Sequence, residues 1–195
     1  MRKLRWAGVI ALAVIAAAGC GGKTVKRVDV EKQIDLSGKW NDTDSRMVSE
    51  EMIDDCLSRP WLENHTGDTG EAPTVIVGEV VNKTDEHIIS ETFTKDLERA
   101  FINSGDVNVV ASKMEREEVR AEREDMQSHA SDKSVKVFME EEAADYMLKG
   151  TINAINDKEG KKSVRFYQVN LELVDTETNQ KVWIGSKKLK KYIKE

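Results

Sequence analysis

Two cysteines, three histidines and 36 acidic side chains are the residues that could do chemistry in this chain. Cys20 closes the segment Ala17, Ala18, Gly19, Cys20. Small residues ahead of a cysteine let a chain enter a peptidase cleft extended, and the thiol is then the nucleophile that takes a lipid. Before it lie an uncharged stretch from Ala7 to Ala18 and the basic residues Arg2, Lys3 and Arg5. That order reads as an export signal over residues 1–19. The apolar stretch falls short of the roughly 20 residues that span a bilayer. An ordinary small-residue cleavage at Ala16–Ala18 is the competing reading and would leave Cys20 a free thiol. Lipidation of Cys20 is favoured, because an exposed unpaired thiol is a liability in an oxidising compartment.

The remaining candidates argue against catalysis. Cys56 has no disulfide partner once Cys20 is acylated, and it falls on an apolar helical stripe, where it reads as a small buried hydrophobe. His65, His87 and His129 are far apart and lack ligand-spaced neighbours, so no metal site is expected. No phosphate-binding or dinucleotide glycine motif and no nucleophile elbow occurs. Adjacent acids such as Glu50 and Glu51 point apart on a helix. No cofactor is expected, and the chain reads as a non-enzyme.

The export signal holds three basic residues and no acidic one, so the mature chain carries 27 basic against 36 acidic side chains, a net of −9. That balance argues against nucleic acid and against charge-driven adhesion to anionic lipid; the lipid anchor is the only membrane contact expected. Residues 20–35 read as a lipidated start and a short tether without proline. Residues 36–195 are long enough for one domain with its own core.

The elements of that domain follow from periodicity. A helix opens near Asp42, Thr43 and Asp44, all competent N-caps, and puts Val48, Met52, Ile53, Cys56 and Leu57 on one face. Pro60 ends it, and Trp40 and Trp61 pin its two ends. Residues 63–73 read as a loop. The run 74–81 is a strand buried on both faces. Phe93, Leu97, Ala100 and Phe101 share a face of a second helix, with Gly105 at its end. A short strand at 107–110 precedes a charged helix at 112–127. A short helix then leads into a strand carrying Tyr146, Leu148 and Ile152. Tyr167, Val169, Leu171 and Leu173 alternate with polar residues and face the core; 181–185 returns as the hairpin partner. The class is α/β: a single domain with a mixed β-sheet and flanking helices, in two or three layers.

Two charged stretches offer surfaces. The helix at 112–127 has a poor apolar stripe, with Glu117–Arg120 and Arg120–Glu124 at pairing distance. Its Arg116, Arg120 and Arg123 are the candidate partner-binding residues. The lysine-rich end, 187–195, reads as a solvated tail, or as a basic patch for an acidic partner.

Beyond these readings, "RVDVEKQIDLSGKWNDTDSRMVSEEMI", "VNKTDEHIISETFTKDLERAFINSG", "ADYMLKG" and "FYQVNLELVDTETNQKVWIG" together resemble the LpoB family of peptidoglycan-synthase activator lipoproteins, with "DLSGKWNDTDS" (35–45) the most specific piece. The resemblance implies a monomeric lipoprotein of the outer membrane, facing the periplasm, with Cys20 acylated. It implies that the chain binds and stimulates a bifunctional, class A penicillin-binding protein, and that its fold is similar to the N-terminal domain of TolB. The family offers no catalytic residues to carry over. A structural subunit of an envelope assembly or secretion complex is the alternative.

Overall fold

The computed structural model describes residues 24–30, 32–129 and 141–194. The export segment and Cys20 lie outside them. Residues 24–30 carry neither helix nor strand. From Gln33 onward the chain forms one unit.

Helix α1 runs Asp42–Leu57. Its N-cap is Asn41, one residue ahead of the caps anticipated from sequence. Asn41 accepts from the Asp44 N–H at 3.0 Å, and Asp44 accepts from the Asn41 N–H at 2.9 Å. This reciprocal capping box satisfies two donors that a helix start otherwise orphans. Three indoles fasten α1: Trp40 donates to Ser45 at 2.8 Å, Trp61 to the Cys56 carbonyl at 2.7 Å, and Trp183 to Asp55 at 2.9 Å.

Pro60 does not end the helical region. It opens a second helix, α2 (Pro60–Thr69), so most of the anticipated loop is helical. Proline suits a first helical turn because its missing N–H has no partner there anyway. Gly70, at φ 76°, stops α2 in the left-handed conformation.

Strand β1 (Thr74–Asn82), helix α3 (Ser90–Ser104) and strand β2 (Asn108–Val110) follow. Helix α4 (Lys113–His129) comes next, then the long strands β3 (Tyr146–Glu159), β4 (Lys162–Asp175) and β5 (Lys181–Lys194). The anticipated short helix before β3 falls largely outside the described residues, and residues 141–144 are not helical.

The sheet order is β2-β1-β3-β4-β5. β1 is parallel to β2 and β3; the other pairs are antiparallel. One face packs on α1, α2 and α3. Val48, Ile53 and Cys56 of α1, Trp61 of α2, and Phe93, Leu97 and Phe101 of α3 meet Val75, Leu148, Ile152, Val169, Leu171 and Leu173 of the sheet. This is the two-layer arrangement. Along β3, β4 and β5 the other face stays at least partly exposed. Two-sided burial of β1 holds only for its first half: Val81, beyond a bulge between Val77 and Val80, is exposed.

The lysine-rich end is neither a tail nor a short hairpin arm. All of 181–194 is strand β5, paired with β4 along its length. The lysines fall on both faces of this edge strand, where charge discourages pairing with a further chain.

Candidate functional site

Helix α4 buries none of its residues. Its start is anchored instead. The Ser112 N–H donates to the Glu115 carboxylate at 2.8 Å, and Lys95 of α3 pairs with both Glu115 and Glu98, the latter at 2.7 Å. The hydrogen bond from Lys95, then those from Ser112, hold the Glu115 carboxyl down at about 2.

Arg116, Arg120 and Arg123 stand on one stripe of α4, since spacings of four and seven return to the same helix face. The structure brings all three to one carboxylate, Glu141. Arg120 is bidentate at 2.8 and 2.6 Å, Arg116 lies at 3.9 Å and Arg123 at 3.7 Å. The hydrogen bond from Arg120, aided by the fields of Arg123 and Arg116, lowers the Glu141 pKa. Glu117 and Glu124, the partners suggested by spacing, are not the ones that close on Arg120. Three guanidiniums thus share one carboxylate, and only Arg120 takes it in the bidentate geometry that the guanidinium fork allows.

A second cluster explains the "DLSGKWNDTDS" stretch. Asp35 accepts from Asn41 at 2.7 Å, Gln33 at 2.8 Å and Lys191 at 2.8 Å. Lys191, on β5, also donates to Asp44 at 2.6 Å and to the Lys39 carbonyl at 3.1 Å. Burial works against the Lys191 charge, but hydrogen bonds to Asp35 and Asp44 outweigh it and raise its pKa. Gly38 sits at φ 68°, where a Cβ would strike Ile193 of β5. Trp40 packs edge-on against Phe93 and Tyr167. Nearby, the buried Glu86 accepts from the Tyr167 hydroxyl at 2.7 Å and the Trp40 N–H at 3.2 Å, and pairs with Arg165. Glu86 and Arg165 were missed by sequence reasoning, and Lys191 was read only as one lysine of the charged end; the "NKTDEH" stretch within the family resemblance was the one signal for Glu86. The cluster ties the start of the domain to its last strand.

The other chemistry-bearing residues have structural partners. His65 meets the Tyr146 hydroxyl at 3.1 Å and Asp145 at 3.7 Å. Cys56 is fully buried, and burial pushes its thiol up to about 12. Among the described residues no group of three or more His, Cys, Asp or Glu is placed to hold a metal ion, and no helix is long and apolar enough to cross a membrane.

The family model described as "Peptidoglycan-synthase activator LpoB" matches residues 44–189. No curated protein matches the chain. Among solved structures, LpoB from Escherichia coli is 14% identical, with 90% of this chain and 86% of that one covered, at a TM-score of 0.42. A lipoprotein from Neisseria meningitidis is 15% identical, covering 62% and 83%, at 0.41. The PelC dodecamer from Paraburkholderia phytofirmans is 16% identical, covering 62% and 72%, at 0.37.

Proposed function

We propose, from the premise that this chain belongs to the LpoB family of peptidoglycan-synthase activators, that it is a non-catalytic outer-membrane lipoprotein acting on a class A penicillin-binding protein. The family match over residues 44–189 is the observation that carries this reading. Cys20 is the acylated residue, and the domain faces the periplasm. Activation proceeds by differential affinity. A ligand shifts an equilibrium only by the difference in its affinity for the two states, so the domain must hold the active synthase more tightly than the resting one. Its docking edge is α4. That helix contributes no buried residue to the core, so it can meet a partner without cost to the packing. Arg116, Arg120 and Arg123 supply orientation and steering toward acidic groups on the synthase.

The test is direct. Purified mature protein added to its cognate synthase should raise the rate of glycan polymerisation, and show no hydrolase or transferase activity alone. A synthase indifferent to the protein would defeat the reading and leave a structural role in an envelope assembly ahead.

A further inference from the structure

The mature chain is acidic, yet its charge is not spread evenly over the fold. On the open face of the sheet, β5 presents Lys188, Lys190 and Lys194, and β4 presents Lys162 directly opposite Lys194. Among the described residues none of these four closes an ion pair, with Glu159 opposite Lys162 and Asp157 opposite Val164 as the carboxylates on the same face. Apolar side chains stand among them. Tyr192 is 62% exposed and Ile155 66% exposed, with Phe166 lying between Ile155 and Lys190 in the register. Lysines around exposed aromatic and aliphatic groups make a surface that meets an anionic interface with both charge and apolar contact.

The start of the domain lies on the same stretch of β5. Asp35 holds Lys191 at 2.8 Å, and Gly38 packs under Ile193. Twelve residues lie between Cys20 and Gln33, a reach of at most about 45 Å when fully extended. Lys190, Tyr192 and Lys194 alternate with these two clamp residues, so they project from the opposite face of the same strand.

We propose that this face of β3, β4 and β5 rests on the anionic phospholipid surface to which the chain is anchored. This argument takes its anchor from the lipidation of Cys20 proposed above. The contact is not needed for retention if several acyl chains are attached. Its consequence is orientation. β5 is one edge strand of the sheet, and β2, which leads into α4, is the other. Seating this face on the membrane leaves the opposite, helix-bearing side of the sheet turned away from it. The net charge of −9 argued against adhesion to anionic lipid only as an average over the chain; screening confines each charge to about 8–10 Å, and at this face Lys162, Lys188, Lys190 and Lys194 outnumber Asp157 and Glu159.

Vesicle binding by the unacylated mature chain, Cys20→Ser, tests the face without depending on lipidation or on any synthase. Vesicles of phosphatidylglycerol mixed equally with phosphatidylethanolamine should bind the protein, less tightly as salt is raised. Neutral phosphatidylcholine vesicles should not bind it. Lys188→Glu, Lys190→Glu and Lys194→Glu combined should weaken binding about a hundredfold or more, since each lysine near such a surface is worth roughly fivefold. Circular dichroism should stay unchanged. If that variant fails to fold, the Lys→Gln set at the same three positions decides by the same comparison. Lys26→Glu with Arg27→Glu, in the tether, should have the smaller effect. Absent binding, binding equal on neutral vesicles, or binding retained in the β5 variant would each overturn the proposal. A β5 variant that loses synthase stimulation but keeps vesicle binding would assign this face to the synthase instead. Failure of lipidation itself would show separately, in the mass of the native N-terminus.

Discussion

Lys191 shows how much one side chain carries. It bridges Asp35 and Asp44 while only 14% of its side chain is exposed, and the Asp44 side chain is 6% exposed. Removing one partner of a buried pair costs more than the pair contributes, because the other charge stays buried alone. Lys191→Met should therefore destabilise the domain by about 3 kcal/mol, measured by urea denaturation. The pH dependence has a defined sign. The folded pKa of Lys191 is raised above the ordinary 10.5. Its contribution is thus fully present below about pH 10.5 and is lost as pH climbs through the folded value. Asp35 is the opposite case. The hydrogen bond from Lys191 lowers its pKa below 3.8, so its contribution is present above that value and is lost as pH falls through the folded one. On the alkaline side wild-type stability should fall more steeply than that of Lys191→Met, the difference between the two reporting Lys191. Cys56 gives a second readout. A fully buried thiol pushed up to about 12 has almost no thiolate at neutral pH. In the Cys20→Ser chain, a thiol reagent at pH 8 should react only when the domain unfolds; fast native-state labelling would contradict this burial.

At the scale of elements, β4 is the most constrained strand. It lies between β3 and β5, and Tyr167, Val169, Leu171 and Leu173 all reach 1% exposure or less. Leu171→Ala should cost roughly 2–5 kcal/mol, read as a drop in the urea midpoint with an unchanged slope. Helix α4 should behave differently. Combined Arg116→Glu, Arg120→Glu and Arg123→Glu should weaken binding to the synthase and leave circular dichroism intact, since the helix adds nothing to the core. Glu141→Gln is the informative companion. It frees the arginine stripe of its one shared carboxylate, so association with an acidic partner should quicken. Unchanged binding in the triple variant would move the docking edge elsewhere.

At the scale of the molecule, the fold separates its charges. Residues 20–195 are acidic overall, but β5 gathers lysines at one sheet edge and α4, which follows the other edge strand in the chain, sets three arginines on one stripe. On the proposed reading, an activator held by a lipid presents one surface to a second protein, and a short tether makes orientation matter more. Full-length protein with an intact β5 face should stimulate membrane-embedded synthase more than the Lys188, Lys190, Lys194 variant does, while the two should be equal on detergent-solubilised synthase. Equal stimulation in both settings would show that orientation contributes nothing to activation.

Periodicity alone determined much of this protein. The faces of α1 and α3, the alternation of β4 and the end of α3 at Gly105 all follow from spacing, because a single face must meet the core and the helix and strand periods differ. The buried, inert character of Cys56 follows the same way, and family membership was legible in stretches inside the matched residues 44–189, such as 81–105 and 166–185. Tertiary structure decided the rest. Pro60 reads equally as the end of one helix or the first turn of the next, and only the packing of Trp61 selects the second. The lysines of 187–194 look solvated in one dimension, because nothing local shows that Asp35 and Asp44, some 150 residues earlier, neutralise one of them. The meeting of three α4 arginines at Glu141, and the layering of the helices on a single face, likewise rest on contacts between distant parts of the chain, which carry no period that a sequence can display.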